Sequence, residues 1–485
     1  MSDPCLPSNW SVVNLSDLGT EVRASARPVP SRKYEVYSVP AFPTGQPEIL
    51  DGSEIGSNKR CVQPGDVLIC KINPRINRVW LVKEPLNGLE QIASTEWLVL
   101  RVPEANREPL VEYLTWYLRG PAFRDWIKLN VEDATGSHTR AKSPNILRQG
   151  VPIPAVGEQS RIVAAIEQQF SRLEVGVAAL ERARRRLAQM RSALLDAAIL
   201  GHLQVQIAGL LEPASSSIER VNCERRVRHQ GGRGAHPPDL QSLPFLPEGW
   251  TWTTLDNIVA DEPNALKAGP FGSALKKSMY AKSGFKIYGQ EQVIRGDPYY
   301  GSYLVDKEKY LELSSCAVKP DDLLVSLVGT VGKTLVLPAD IEPGIINPRL
   351  VKISLHPELM TPAFLSLVLQ APFMRARFHL ESHGATMEVL NLGILRSLPI
   401  PCPPLEIGQA ILGQVDSSLT LLDRLDEECD KASRRVLRLR TVILRNAFSG
   451  ELVPRLVTDI RDPESPTGPQ KVVLRPSPYG GESSD

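Results

Sequence analysis

Residues 160–200 read SRIVAAIEQQFSRLEVGVAALERARRRLAQMRSALLDAAIL, a stretch without proline. Ile166, Leu173, Leu180, Leu187 and Leu194 fall seven residues apart, with Phe170 and Val177 on the adjoining stripe, so the pattern is a heptad seam on one helix. At about 1.5 Å per residue that helix extends on the order of 60 Å, too long for the core of one compact domain. A second stretch repeats the design: moving 249 residues along places Val415, Leu422, Cys429, Val436 and Ile443 on the same stripe in the same phase. The endings match as well. Ala198-Ile199-Leu200-Gly201-His202-Leu203 answers to Ala447-Phe448-Ser449-Gly450-Glu451-Leu452, with Gly201 and Gly450 where a left-handed helix cap needs glycine. Arg184, Arg191, Asp426 and Arg440 fall where a tight homodimeric zipper would want apolar residues. The preferred arrangement is therefore an antiparallel pairing of the two helices within one chain, setting a globular lobe at each end of a rigid spacer.

The duplication extends outward from the helices. Leu6-Pro7-Ser8-Asn9-Trp10, with Leu15, recurs as Leu246-Pro247-Glu248-Gly249-Trp250, with Leu255. Pro64-Gly65-Asp66-Val67-Leu68-Ile69 reads as a turn feeding a β-rich run and returns as Pro320-Asp321-Asp322-Leu323-Leu324-Val325. Tyr113 to Leu118 followed by Gly120-Pro121-Ala122-Phe123-Arg124 corresponds to Phe364 to Leu369 followed by Ala371-Pro372-Phe373-Met374-Arg375. Ile146-Leu147-Arg148 and Pro152-Ile153-Pro154 correspond to Ile394-Leu395-Arg396 and Pro399-Ile400-Pro401, each closing a globular part before a long helix. Four matches in one order describe two similar lobes.

With 485 residues, 42% hydrophobic and 23% charged, the chain is long enough for several folded units and has the composition of a globular protein. No apolar run approaches the roughly 18 residues that span a bilayer, and Met1 to Trp10 lacks the order of a signal peptide, so a cytoplasmic location is expected. The seven cysteines are scattered without a C-x-x-C pair, which fits reduced structural thiols better than a disulfide framework or zinc cage. A net charge of +1 does not announce a polyanion partner, although arginines cluster at 182–191, 220–233 and 434–440. Glu212 to Gln241 contains Ser215-Ser216-Ser217, Gly231-Gly232-Arg233-Gly234 and Pro237-Pro238, the composition of a linker, and the segment after Pro454 reads likewise.

No catalytic constellation stands out. Gly329-Thr330-Val331-Gly332-Lys333-Thr334 lacks the first glycine of a phosphate loop, with Leu327 in its place. Asp297-Pro298-Tyr299-Tyr300 is better explained as a β-turn than as a methyltransferase motif, and His379 and His383 have Leu380 where a metalloprotease helix needs glutamate. No metal site is expected.

Two lobes, proline-marked exits and two heptad helices without a catalytic motif resemble the specificity subunit of type I restriction-modification systems. Local wording supports the resemblance: Gly269-Pro270-Phe271-Gly272-Ser273 with Leu275-Lys276, Ile287-Tyr288-Gly289-Gln290-Glu291, and Asp322-Leu323-Leu324-Val325-Ser326 leading into Gly329-Thr330-Val331-Gly332. The fold it implies is α+β, with two α/β target-recognition domains separated by two antiparallel coiled-coil helices and related by an internal pseudo-twofold duplication. The expected divisions are 1–155 for the first domain, 156–205 for the first helix, 206–244 for a flexible linker, 245–403 for the second domain, 404–454 for the second helix and 455–485 for a disordered tail. By the same resemblance each lobe reads half of a split double-stranded DNA target. The helices set the gap and dock methyltransferase subunits, two in number, with Ile166, Leu173, Leu180, Leu187, Leu194 and Val415, Leu422, Val436, Ile443 as the coiled-coil and partner interface. S-adenosylmethionine, ATP and Mg belong to partners, including restriction/translocase subunits, and this chain is no enzyme. DNA-contact candidates in the first lobe are Lys71, Asn73, Arg75, Arg78, Thr135, Ser137, His138 and Arg140. In the second they are Ser273, Lys276, Lys277, Tyr288, Gln290, Thr330, Lys333, His383 and Thr386. Cations would hold the phosphate backbone while Asn, Gln, Thr and an occasional Arg read base edges. Because Cys70-Lys71-Ile72-Asn73-Pro74-Arg75 replaces the Gly-rich Ser326 to Lys333 loop, the lobes are expected to read different half-sites. The competing reading is a coiled-coil scaffold without DNA specificity.

Overall fold

A computed structural model describes residues 6–130, 139–207, 209, 211–228, 243–271, 274–327, 332–381 and 392–454. The chain divides into two units, residues 1–180 with 431–485 and residues 181–430, and each long helix contributes one part to either unit.

In the first unit, Val67–Cys70 is a strand buried on both faces: Val67 and Ile69 join one apolar cluster, Leu68 and Cys70 another. Alternation of side chains across a covered sheet explains why this run is continuously apolar. It lies in a four-stranded sheet of order Thr20–Glu21, Trp97–Arg101, Val67–Cys70, Val79–Leu81. The helix Leu110–Arg119 packs on this sheet through Leu110, Tyr113, Leu114 and Leu118. A second sheet holds the parallel pair Lys33–Tyr37 and Glu90–Ala93. A two-stranded ribbon, Ser11–Asn14 against Gly150–Ile153, closes the lobe.

The second unit repeats this plan. Its four-stranded sheet runs Leu266–Ala268, Leu350–Ile353, Leu323–Ser326, Thr334–Val336. A parallel pair joins Phe285–Tyr288 to Gly344–Ile346, and a ribbon joins Thr251–Thr253 to Ile400–Cys402. Registers agree residue by residue: Trp97 stands opposite Cys70 as Leu350 stands opposite Ser326. The turn before the central strand is also built twice. Gly65 and Asp321 both have positive φ, 87° and 63°. Asp66 accepts from the Gln63 N–H and Asp322 from the Lys319 N–H, each at 2.9 Å.

The long helices are Val156–Ile199 and Leu405–Phe448, 44 residues each. Within the second unit they run antiparallel, with Arg184 paired to Asp430 and Arg191 to Asp423. Within the first, Arg440 approaches Glu174 at 4.0 Å and lies over the Phe170 ring. The arginines that interrupt the apolar stripe thus have partners on the facing helix. The stripe is partly or fully covered, Ile166, Val415 and Leu422 fully and Leu173, Leu180, Leu187, Leu194, Val436 and Ile443 by half. Both helices end in the same cap: His202 N–H reaches the Ala197 carbonyl and Glu451 N–H the Asn446 carbonyl, each at 2.8 Å, around Gly201 and Gly450 with φ of 73° and 79°. A Cβ on Gly450 would come within 2.4 Å of Pro7, and one on Gly201 within 2.5 Å of Pro247. The Pro-x-x-Trp segments are therefore seats for helix ends, with Trp10 and Trp250 beside the same glycines.

One expectation needs correcting. The stretch expected as flexible linker contains a helix, Ala214–Arg228. Ala214, Ile218 and Val221 recur at helical spacing and enter the second unit's core, and Arg225 pairs with Asp261 and donates to the Asn257 carbonyl at 2.9 Å. Serines and charges around those three positions hide the apolar face in the composition. Residues 229–242 and the expected tail, 455–485, lie outside the described residues.

Candidate nucleic-acid interface

Where Val67–Cys70 ends, the chain enters a loop shaped by two left-handed asparagines, Asn73 at φ 47° and Asn77 at φ 51°, a conformation asparagine tolerates better than most residues. Asn77 donates from Nδ2 to the Leu118 carbonyl at 2.8 Å, tying the loop to the core. A second segment is laced onto it. The Asn73 N–H donates to the Thr139 carbonyl and the Ala141 N–H to the Lys71 carbonyl, both at 2.9 Å, and Ile72 bridges Arg140. The Lys71 N–H donates to the Glu96 carbonyl, and the Arg140 guanidinium pairs with the Glu96 carboxylate. Burial, then the nearby Arg60, pulls the Lys71 ammonium below its ordinary value, while Glu96 and Glu21 oppose the fall.

This strand end therefore gathers five first-lobe candidates, Lys71, Asn73, Arg75, Arg78 and Arg140. Arg75 is exposed, whereas Arg78 folds back toward the Ile72 carbonyl at 3.5 Å. Thr135, Ser137 and His138 lie outside the described residues.

The second lobe builds the equivalent strand end from different groups. Gln290 donates to Ser326 Oγ at 2.8 Å and accepts from Arg349 at 3.3 Å. Lys276 and Lys277 are exposed at the short turn Lys277–Met279. Lys333 is separate, lining a cleft of about 630 Å³ with Arg191, Arg295, Arg375, Gln370 and Asp416. Tyr288 must be withdrawn as a DNA contact. Register in the parallel pair opposite Ile346 buries its ring, 1% exposed, and its hydroxyl donates to the Glu342 carbonyl at 2.7 Å. Ser273, Thr330, His383 and Thr386 lie outside the described residues.

Glu96 and Arg349 were missed by sequence reasoning, yet they occupy one structural position. Ser94 N–H donates to Tyr37 O and Asn347 N–H to Tyr288 O. Glu96 N–H donates to Ser94 Oγ and Arg349 N–H to Asn347 Oδ1. Trp97 and Leu350 N–H reach back to the carbonyls of Ser94 and Asn347. Lys71 N–H donates to Glu96 O as Leu327 N–H donates to Arg349 O. The offset between lobes is 256 residues at Val67 but 253 at Trp97, since the intervening loops differ in length. Only an alignment that allowed for that change would have matched the two.

The second lobe and the neighbouring helix, residues 271–428, match a family model described as the type I restriction modification DNA specificity domain. The specificity subunit of the type I restriction enzyme EcoBI from Escherichia coli is 23% identical over 68% of this chain and 64% of its own length. That of EcoDI, also from Escherichia coli, is 24% identical over 71% of each chain. This chain therefore spans about two thirds of the length of the curated relatives it matches. A chain from a type I restriction-modification structure concerned with complex assembly and conformational transition aligns with TM-score 0.62 and 19% identity over 92% of this chain and 99% of that one. The HsdS subunit from Thermoanaerobacter tengcongensis aligns with TM-score 0.52 and 19% identity over 93% and 100%. The duplicated architecture defines the class of proteins with two α/β lobes on paired long helices. Within that class, the chain is similar to the specificity subunits of type I restriction-modification systems, and residues 271–428 match the DNA specificity domain of that family.

Proposed function

We propose that the chain is the non-catalytic DNA-recognition component of a type I restriction-modification complex, each lobe reading one half of a bipartite, asymmetric target. The observation that carries this reading is the pair of strand-end sites: one backbone frame built twice, bearing Lys71, Asn73, Glu96 and Arg140 in one lobe and Gln290, Ser326 and Arg349 in the other. Unlike base pairs present unlike donor and acceptor patterns in the major groove, so unlike polar sets on one frame suit an asymmetric sequence.

The paired helices set the gap and dock methyltransferase subunits. Leu421, Leu425, Leu437 and Leu439 are 57, 44, 64 and 41% exposed, an apolar load that a protein partner would cover. S-adenosylmethionine, ATP and Mg then reside on partner subunits, and the complex works in the cytoplasm. No described helix is long and apolar enough to cross a membrane.

Co-purification with a methyltransferase subunit, followed by sequencing of the DNA that the complex methylates, tests this reading. A two-part motif with a fixed gap is expected. Methylation at an uninterrupted motif would contradict the division of the target between two lobes, and no motif at all would favour a scaffold without DNA specificity.

A further inference from the structure

Several residues that the fold requires are the same in both lobes. Asp66 and Asp322 are fully buried carboxylates on equivalent turns, Gly201 and Gly450 cap equivalent helices, and Tyr37 and Tyr288 end equivalent strands beneath the strand-end site. Against that background Glu96 and Arg349 differ in sign of charge. Their main chains are held by the same four kinds of hydrogen bond, with donor–acceptor distances of 2.9–3.3 Å. The two side chains therefore leave the backbone at the same point of the same frame. A structural requirement for one polarity would have kept it, as it kept the buried aspartates.

The surroundings follow the inversion. Glu96 is 28% exposed and pairs with Arg140, which is 61% exposed, so a carboxylate and a guanidinium stand side by side at the surface. Arg349 is exposed and, among the described residues, has no carboxylate within ion-pair distance. Its guanidinium donates to the amide oxygen of Gln290, whose amide nitrogen is held by Ser326. That leaves a cationic fork steadied from one side and an amide pre-oriented by a hydroxyl. Arginine donates to the O6 and N7 acceptors of guanine, and carboxylates accept from the amino group of cytosine.

We propose that Glu96 with Arg140 and Arg349 with Gln290 are the specificity-determining groups of their lobes. Arg349 donates to a guanine edge in one half-site, and Glu96 accepts from an exocyclic base amine in the other. This assignment rests on the DNA-recognition reading above and names the residues that would carry it.

The test uses the complex with its methyltransferase subunits. The readout is the ratio of methylation rates on the cognate duplex and on duplexes altered at one base pair. Arg349→Gln should lower that ratio about tenfold to a hundredfold at one base pair of the half-site read by residues 245–403, leaving the other half-site unchanged. Glu96→Gln should do the converse. If Arg349→Gln does not fold, Arg349→Lys keeps the charge, loses the fork and is read in the same way. Unchanged ratios, or equal losses in both half-sites, overturn the assignment while leaving the recognition reading intact. Absence of a bipartite motif with the unaltered complex overturns both.

Discussion

Asp66 and Asp322 illustrate one problem solved in two ways. Both carboxylates are fully buried at the head of a central strand, where an uncompensated charge would be costly. Asp66 accepts two hydrogen bonds from Arg101, at 2.8 and 2.7 Å. Asp322 accepts from Ser354 and has Lys352 only at 4.0 Å, and burial pushes its carboxyl above the ordinary range. Replacing Asp66 with alanine orphans a guanidinium, and because Arg101 is a third exposed the expected loss is about 2–4 kcal/mol, discounted from the roughly 3–5 kcal/mol for breaking a fully buried pair. Urea denaturation checks that figure. For Asp322 the folded-state value lies above the unfolded one, so the native state holds the proton more tightly. The resulting stability is fully present below about pH 3.9 and is lost as pH rises through the folded value. Asp322→Asn should therefore flatten the acid-side pH dependence of denaturation of the second unit. An unchanged profile would show that another group titrates.

At the scale of elements, the helix caps make the sharpest prediction. Gly450→Ala forces a Cβ into Pro7 at positive φ and should cost about 2 kcal/mol or more. Gly413→Ala, in the helix interior with nothing within 4 Å of its Cβ, should instead gain about 0.5–1 kcal/mol. Thermal denaturation of the two variants should move in opposite directions. The caps and the long helices were legible because heptad spacing and a C-terminal glycine are local signals. The strand Val67–Cys70 was legible for the same reason, as an apolar run behind a Pro-Gly-Asp turn. Helix Ala214–Arg228 was not, because three apolar positions carry its whole buried face. Tyr288 was misplaced because an aromatic beside glycine reads as a loop residue, whereas pairing with a strand almost sixty residues away decides its burial. Glu96 and Arg349 stayed hidden because their equivalence depends on long-range hydrogen bonds across loops of unequal length.

Over the whole molecule the net charge is only +1, and cations near the strand ends are interleaved with Glu96 and Glu21. Neutralising phosphates supplies much of the affinity of DNA-binding proteins, so the isolated chain should bind DNA weakly. On the function proposed above, two lobes of one plan with unlike strand ends would make recognition modular. Exchange of residues 245–403 for the matching lobe of a relative with another target, followed by sequencing of DNA methylated by the complex, tests this most directly. The account predicts that one half of the motif changes while the other half and the gap stay fixed. A change in both halves, or in neither, would contradict it.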